Sequence, residues 1–306
     1  MRDSFIESLF ALASSDKKIV LMTGDLGFGV LDKFAKNLPR QFVNAGVAEQ
    51  NMLGMASGMA MDGKVVFVYS IGNFPTLRAL EQIRNDAAYH GANVKVVTVG
   101  AGYSYGSLGM SHHATEDLAV VRALPDVTIL SPGCLWEARQ SAKALLETSG
   151  TCYLRLDKSN AGETQKNGEQ FQLGKFRVIR EGTDGSIFAT GGILGTALSV
   201  ADALASDGID LAVYSVHSIR PFDSEGLLEA VSRRGACFTI EEHVLTGGLG
   251  AIIAEHCMDA GVHPKYFHRF GISGGYSSIV GSQDYLRNAC GLDLLSIVNR
   301  IKNILA

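Results

Sequence analysis

The chain has 306 residues, of which 46% are hydrophobic and 35 are glycine, and this predicts a folded protein with two domains. The net charge of -4 argues against nucleic-acid and membrane-surface binding, and no apolar run reaches the ~20 residues that span a bilayer. The N-terminus lacks a signal-like apolar region, and five scattered cysteines are typical of reduced thiols in a cytoplasmic protein without a zinc site.

The first part of the chain alternates predicted helices and strands. Helices are predicted at 4–14, 51–61, 77–89 and 135–147. Strands are predicted at 19–23, 65–69, 94–99, 127–130 and 152–154. Because several strands are continuous β-branched runs, we expect a largely parallel sheet that helices cover on both faces.

A polar, glycine-rich stretch divides the chain. It predicts a linker at 161–175 between a first domain, 1–160, and a second domain, 176–306. In the second domain strands are predicted at 186–190, 209–214 and 236–240, and helices at 195–206, 248–260 and 284–304. The predicted fold class is therefore α/β, with two domains that each hold a largely parallel sheet flanked by helices.

One acidic residue, Glu49, lies in the small and apolar segment from Val43 to Gly58. It follows a strand-like run at 41–44 and opens a helix rich in glycine and alanine. A carboxyl group in such surroundings is poorly solvated and can share a proton with a ligand base. The alternative is a carboxylate that only complements the dipole of its helix.

A second candidate segment directly follows the strand at 94–99. It is rich in glycine and ends in Ser111-His112-His113. Ligands of open α/β sheets bind at the carboxyl ends of strands. Adjacent histidines point in different directions, so we expect one of them to face a site; the alternative is a helix cap and a solvated side chain.

The segment Gly46-Val47-Ala48-Glu49-Gln50-Asn51 resembles the glutamate motif of transketolase-like thiamine diphosphate enzymes, in their pyrimidine-binding domain. The resemblance implies that Glu49 hydrogen-bonds N1′ of the aminopyrimidine, so that the 4′ nitrogen can remove the C2 proton of the thiazolium. His112 matches the active-site histidine of the family, including its ten-residue interval to Arg122. This implies proton transfer at substrate oxygens by His112, with His113 as a second substrate-binding candidate.

The resemblance implies further site residues. Asp25 matches an aspartate beside the cofactor, although it could simply cap a turn. Phe74 or Tyr69 would contact the aminopyrimidine, and both could equally be core residues. Arg2 matches an arginine that binds the sugar phosphate.

Two positions depart from the family and bear on the substrate. Gly100 stands where transketolases for phosphorylated sugars carry a phosphate-binding histidine, and Leu108 stands where they carry an aspartate that reads a sugar hydroxyl. Loss of such donors changes discrimination between sugars. The sugar pocket is therefore expected to differ, with room for a modified or nucleotide-linked sugar.

The second half also resembles a transketolase domain, the C-terminal one. The matching segments lie at 190–192, 218–223, 241–243 and 247–250. That domain is mainly architectural in the family, so no catalytic residue is expected there, and His243 is at most a residue of the site's rim.

The Gly-Asp-Gly…Asn motif, through which the family holds the diphosphate on a divalent metal, is absent. The resemblance therefore implies the C-terminal subunit of a split transketolase. Its partner would be a separate N-terminal subunit that holds Mg²⁺ and shares the thiamine diphosphate. The helix at 77–89 resembles a dimer contact, which implies a homodimeric core and a heterotetramer.

Three alternatives remain at this point. One is the β subunit of a 2-oxo acid dehydrogenase, against which the histidine segment and the segment at 80–86 argue. Another is a non-catalytic scaffold subunit of the same fold. A deoxyxylulose-phosphate synthase is disfavoured because that enzyme is a single long chain.

Overall fold

The structure is a computed structural model that describes residues 1–306. It contains two β-sheets, of seven and five strands, and both are flanked by helices. All neighbouring strands are parallel except one edge pair in each sheet. The predicted α/β fold with two largely parallel sheets is therefore confirmed.

The first sheet is formed mainly by the first half of the chain. Its strands are β1 (Ile19–Thr23), β2 (Phe42–Asn44), β3 (Val65–Ile71), β4 (Val94–Val99), β5 (Thr128–Leu130), β6 (Cys152–Leu156) and, from the second half, β10 (Ser218–Arg220). Their order is β10-β5-β6-β4-β3-β1-β2, with β10 antiparallel to β5. The sheet thus ends on a strand from beyond the predicted linker.

Helices cover both faces of this sheet. They are α1 (Arg2–Ser15), α2 (Asp32–Asn37), α3 (Glu49–Met61), α4 (Asn73–Leu77), α5 (Leu80–Gln82), α6 (Asp117–Arg122) and α7 (Leu135–Glu147). Helices α1, α2 and α7 share one apolar cluster with alternate residues of β3, and α3 and α6 share another with the remaining ones. The alternation of strand side chains between two faces produces this division.

The helix predicted at 77–89 is broken. Helix α4 ends at Leu77, α5 is a single turn, and Ile83–Ala88 is a π-helical turn. Ala79, with φ -118° and ψ 24°, departs from helical geometry between α4 and α5. Arg78 lies at this break.

The second sheet has the order β12-β11-β8-β9-β7. Its strands are β7 (Arg177–Arg180), β8 (Gly185–Thr190), β9 (Leu211–Ser215), β11 (Ala236–Val244) and β12 (Tyr266–Ile272). Its helices are α8 (Leu194–Ala205), α9 (Ser224–Arg234), α10 (Leu249–Asp259), α11 (Gln283–Ala289) and α12 (Leu294–Leu305). The helix predicted at 284–304 is two helices, because Gly291 has φ +71° and the Asp293 side chain caps α12.

The two halves share packing. One apolar cluster runs from Met52 on α3, under the first sheet, to Leu227 on α9 and Ile252 on α10. The predicted linker at 161–175 contains neither a helix nor a strand.

Among the helices, none combines the length and apolar character required to cross a bilayer. All five cysteines are free thiols, and every one except Cys290 is buried.

Candidate active site

Glu49 is the first residue of α3 and its side chain is 1% exposed. The chain reaches it through Gly46, whose φ of +73° favours glycine. Arg78 Nη1 donates to Glu49 Oε2 at 2.6 Å, whereas Oε1 has no hydrogen-bond partner in the chain. The structure therefore holds a buried carboxyl group that is neutralised on one oxygen and free on the other.

Asp25 lies at the same edge of the sheet as Glu49. It follows β1 with φ +59°, and the side chain of Asn44 at the end of β2 holds it. Asn44 Oδ1 accepts from the backbone N–H of Asp25 and of Gly46, both at 3.0 Å, and Asn44 Nδ2 donates to the Asp25 carboxylate at 3.1 Å. Because β1 and β2 are parallel, their carboxyl ends bring Asp25 and the turn before Glu49 together.

Arg78 connects Glu49 with two of the predicted aromatic and histidine residues. Its guanidinium lies 4.9 Å from the centroid of the Phe74 ring, and the Phe74 and His112 rings meet edge to face at 5.2 Å. We call Glu49, Arg78, Phe74 and His112 the Glu49–His112 cluster. Three of its four members were candidates from the sequence, and the structure brings them together.

His112 is held as a neutral base. Burial, and then the nearby His113, lower the pKa of His112 below its ordinary value. Its Nδ1 lies 3.0 Å from Ser111 Oγ. An imidazole that is neutral near pH 7 can both accept and donate a proton.

His113 lies in different surroundings, as expected for adjacent histidines. It is buried, its Nε2 lies 3.2 Å from the Gly106 carbonyl, and its ring packs edge to face on Tyr103 at 5.1 Å. The structure does not bring its side chain to the Glu49–His112 cluster. A role of His113 in substrate binding stays a prediction.

The loop that carries both histidines is anchored by the second sheet. Glu242 on β11 accepts from the backbone N–H of Tyr103 and pairs with Arg287 on α11. Gly102, with φ +55°, leaves no room for a side chain, since a Cβ would lie 2.4 Å from Glu242 Oε1. This contact fixes where the loop starts. The second domain thus positions His112 without contributing a side chain to the cluster.

His243 is not on the rim of the site. It is fully buried, accepts a hydrogen bond from the Ala119 N–H of α6 at 3.3 Å, and lies 2.7 Å from the Val244 carbonyl. Burial lowers its pKa to about 4. The histidine is a neutral link between the two halves of the protein, which corrects the interpretation as a rim residue.

Tyr69 and Arg2 lie on the other face of the sheet from α3. Tyr69 is 1% exposed and belongs to the apolar cluster of Phe5 and Leu31. Arg2 on α1 pairs with Asp3 at 2.7 Å and lines a separate cleft. Phe74, and not Tyr69, is therefore the ring beside Glu49, while contact of either ring with a cofactor stays a prediction.

Arg2 lines two clefts, and the one nearer the Glu49–His112 cluster has a volume of about 200 Å³. Its other walls include Gly100, Tyr105 and Lys158. The Lys158 ammonium lies 3.7 Å from the centroid of the Tyr105 ring, and that ring lies 6.5 Å from the ring of His112. The cleft therefore adjoins the Glu49–His112 cluster across Tyr105.

Three residues of this region were missed from the sequence: Arg78, Tyr105 and Lys158. A signal existed for Arg78, since a buried carboxylate needs a cation and Arg78 is the first one after the neighbouring strand β3. Tyr105 and Lys158 belong to separate segments whose meeting depends on the tertiary fold. No local sequence signal indicates that Tyr105 and Lys158 lie in contact.

The identity of the family follows from matches along the whole chain. Residues 1–164 match the family described as transketolase, pyrimidine binding domain, and residues 174–294 match transketolase, C-terminal domain. The chain belongs to the transketolase family. The resemblance inferred from the Glu49 motif is thus confirmed.

Several relatives of similar length match this chain over most of its residues. An apulose-4-phosphate transketolase subunit of Phocaeicola vulgatus is 39% identical over 256 residues, covering 83% of this chain and 82% of the relative. The 6-deoxy-6-sulfo-D-fructose transketolase subunit of a Clostridium species is 34% identical, covering 97% and 92%. A solved structure described as a split gene transketolase, inactive beta4 tetramer, superposes with a TM-score of 0.88 at 32% identity, covering 99% and 97%. The chain therefore corresponds to the C-terminal subunit of a split transketolase.

Proposed function

We propose that this chain supplies the aminopyrimidine half of a thiamine diphosphate site, in a transketolase that moves a two-carbon ketol unit from a ketose to an aldehyde. The observation that carries the proposal is the buried Glu49 carboxyl, free on Oε1 and connected through Arg78 and Phe74 to His112. A family member that lacked Glu49 and His112 would keep the fold but could serve only as a scaffold. When bound, thiamine diphosphate supplies the carbon nucleophile that attacks the ketose carbonyl.

The residues fit the aminopyrimidine. Glu49 Oε1 is free to hydrogen-bond a ring nitrogen, and the 1% exposure of the side chain leaves little contact with water. Arg78 keeps a countercharge on Oε2, which allows the carboxyl group to remain in a dry site. Phe74 offers a ring beside the carboxyl, and Asp25 lies at the same sheet edge as a second polar contact.

His112 would manage protons on substrate oxygens. It is neutral near pH 7 and lies at the end of the cluster remote from Glu49, which leaves Glu49 to the aminopyrimidine and His112 to the substrate oxygens. Cleavage of the carbon–carbon bond requires a proton to leave one hydroxyl, and the aldehyde acceptor later takes one up. A single neutral imidazole can do both.

The diphosphate half would come from a partner. No group of three His, Cys, Asp or Glu side chains in the chain is placed to hold a metal ion. A diphosphate carries several negative charges that a divalent cation normally neutralises. We therefore place Mg²⁺ on a separate N-terminal subunit. The description of the split relative as an inactive β4 tetramer supports the need for such a subunit.

We propose a homodimeric core of this chain within a heterotetramer. Apolar side chains near the broken helix are exposed in the single chain: Leu77 is 43%, Met55 40% and Tyr89 83% exposed. Burial of such side chains favours association. The substrates would be phosphorylated or otherwise modified sugars, as the names of the two relatives suggest. The five free thiols favour a cytoplasmic enzyme.

Reconstitution tests the function. The chain is co-purified with the candidate subunit that carries Gly-Asp-Gly…Asn, and ketol transfer from a ketose to an aldehyde is measured with thiamine diphosphate and Mg²⁺. Transfer that needs both subunits is the expected result. Decarboxylation of a 2-oxo acid without ketol transfer would instead assign the dehydrogenase function. Cofactor binding with no turnover on any sugar would assign a scaffold.

A further inference from the structure

Helix α4 connects the two ends of the Glu49–His112 cluster. It carries Phe74, whose ring meets that of His112, and Arg78 follows directly after it. The helix has five residues, and the chain departs from helical geometry at Ala79. A helix this short is not stable by itself in water, so its orientation depends on contacts with the rest of the protein.

One contact fixes the N-terminal end of α4 against the histidine loop, residues 100–114. Asn73, the first residue of α4, donates a hydrogen bond from Nδ2 to the carbonyl of His113. Gly72 packs so closely on this loop that a Cβ there would lie 2.6 Å from the Cβ of Ala114. The start of α4 therefore lies on the histidine loop, but contacts at one end alone leave the helix free to rotate about that end.

A second contact lies one turn along α4, at a buried hydroxyl group. Thr76 Oγ1 and the hydroxyl of Tyr153 on β6 lie 3.0 Å apart, and both side chains are fully buried. The Tyr153 hydroxyl also donates to Asp117 Oδ2 at 2.9 Å. Arg155 Nε donates to the same oxygen at 2.9 Å, and Arg155 Nη2 donates to the Ala114 carbonyl at 2.8 Å. These buried groups connect the middle of α4 with the end of the histidine loop.

We propose that Tyr153 is a positioning residue of the active site: its hydroxyl fixes the orientation of α4, so that Phe74 stays against His112. The proposal rests on the ketol-transferase function proposed above. Arg78 has its own bond to Glu49, so loss of the Tyr153 hydroxyl would disturb the histidine end of the cluster more than the Glu49 end. A misplacement of roughly 1 Å can lower a catalytic rate by about 10²-fold.

The test is Tyr153→Phe in the reconstituted complex, with D-glyceraldehyde 3-phosphate as acceptor and one ketose donor throughout. The variant keeps the buried ring, and Asp117 stays paired with Arg155, so the fold is expected to persist. We expect kcat to fall roughly five- to fiftyfold, with KM for the acceptor within about twofold of wild type. Exchange of the C2 proton of thiamine diphosphate, which depends on Glu49, should also stay within about twofold. A merely structural loss would lower both rates together, because the folded fraction would fall.

Variants of Thr76 examine the other side of the contact, and they keep the proposal testable if Tyr153→Phe does not fold. Thr76→Val removes the hydroxyl and should lower kcat as Tyr153→Phe does, with little further loss in the double variant. Thr76→Ser retains the hydroxyl and should keep kcat near the wild-type value. Thr190→Val on β8 is the matched control: it removes an equally buried hydroxyl, which donates to the Val216 carbonyl at 2.8 Å, and should leave kcat unchanged.

Wild-type kcat in a folded Tyr153→Phe complex, or equal losses of kcat and of C2-proton exchange, would overturn the positioning role. Fully additive losses in the double variant would show that the hydroxyls of Tyr153 and Thr76 do not act together, and would overturn it as well. Absence of ketol transfer by the wild-type complex from any ketose would instead overturn the proposed function, and this inference with it.

Discussion

Glu49 and Arg78 form an ion pair whose two partners differ greatly in burial. The distance between Arg78 Nη1 and Glu49 Oε2 is 2.6 Å, yet the arginine side chain is 48% exposed and the glutamate 1%. A half-exposed guanidinium keeps part of its hydration while it neutralises a carboxylate that has lost its own. The pair therefore provides a dry acceptor at the edge of the sheet without a second buried charge.

Glu49→Gln is expected to abolish turnover and to leave the fold intact, because the amide fills the same space. Exchange of the C2 proton of thiamine diphosphate, measured by NMR in the reconstituted complex, should slow by ~10²–10⁴-fold. Glu147→Gln, at an exposed position of α7, is the matched control and should exchange normally. Exchange in Glu49→Gln at the wild-type rate would remove Glu49 from the mechanism.

Arg78→Ala is expected to destabilise the chain by about 1–2 kcal/mol, because it leaves the Glu49 carboxylate unpaired; the exposure of Arg78 keeps the value below that of a fully buried pair. Urea denaturation measures the change. In the Glu49→Gln variant, Arg78→Ala should lower the free energy of unfolding by less, since an amide needs no countercharge. Arg84→Ala, an exposed neighbour, should have little effect. Strict additivity of the two substitutions would show that the ion pair contributes nothing.

His112→Ala is expected to lower kcat by ~10²–10⁴-fold with little change in stability. His113→Ala should mainly lower the midpoint of thermal unfolding, because that side chain is buried against Tyr103. The exposed His263→Ala serves as the control. Because the pKa of His112 lies below its ordinary value, wild-type kcat should fall only below about pH 6.5. Equal and mild effects of the two substitutions would exclude His112 from proton transfer.

The buried His243 should contribute a loss of stability in mild acid. Its folded-state pKa of about 4 lies below the unfolded value, so between these two the unfolded chain binds more protons at this residue. The contribution of His243 to the free energy of unfolding should be constant above about pH 6.5 and lower by about 2 kcal/mol at pH 5. The buried Glu241 and Glu242, whose pKa values are raised to about 7, act in the opposite direction, so the test is the difference between variant and wild type. Relative to wild type, His243→Asn should be more stable at pH 5 than at pH 7 by about that amount in urea denaturation. An identical pH slope in the variant would contradict a neutral, buried His243.

Much of the fold could be predicted because the signals are local. The strands at 19–23 and 94–99 and the helix at 135–147 have the predicted bounds, since each is a continuous β-branched run or an amphipathic segment with clear ends. Strand β10 could not be assigned to the first sheet, because its pairing with β5 joins residues that are distant in the sequence. Pairing of this kind depends on packing and leaves no periodic signal.

The candidate site likewise contains residues with a local sequence signal and residues that only the fold brings together. Glu49 and His112 were identified from motifs in single segments, and the carboxyl ends of parallel strands explain why they meet. Arg78 was missed because it contacts Glu49 from the break between α4 and α5, where a continuous helix was predicted. Tyr105 and Lys158 meet only through the fold of the loop after β4 and the end of β6.

We infer that this chain holds one half of a shared cofactor site. The decisive experiment is calorimetric titration of the isolated chain with thiamine diphosphate, with and without Mg²⁺. We expect weak binding that Mg²⁺ does not strengthen, since no metal ligands are assembled here. Addition of the N-terminal subunit should make the binding tight and metal-dependent. Tight, Mg²⁺-dependent binding by the isolated chain would show that the diphosphate half of the site also lies on this chain.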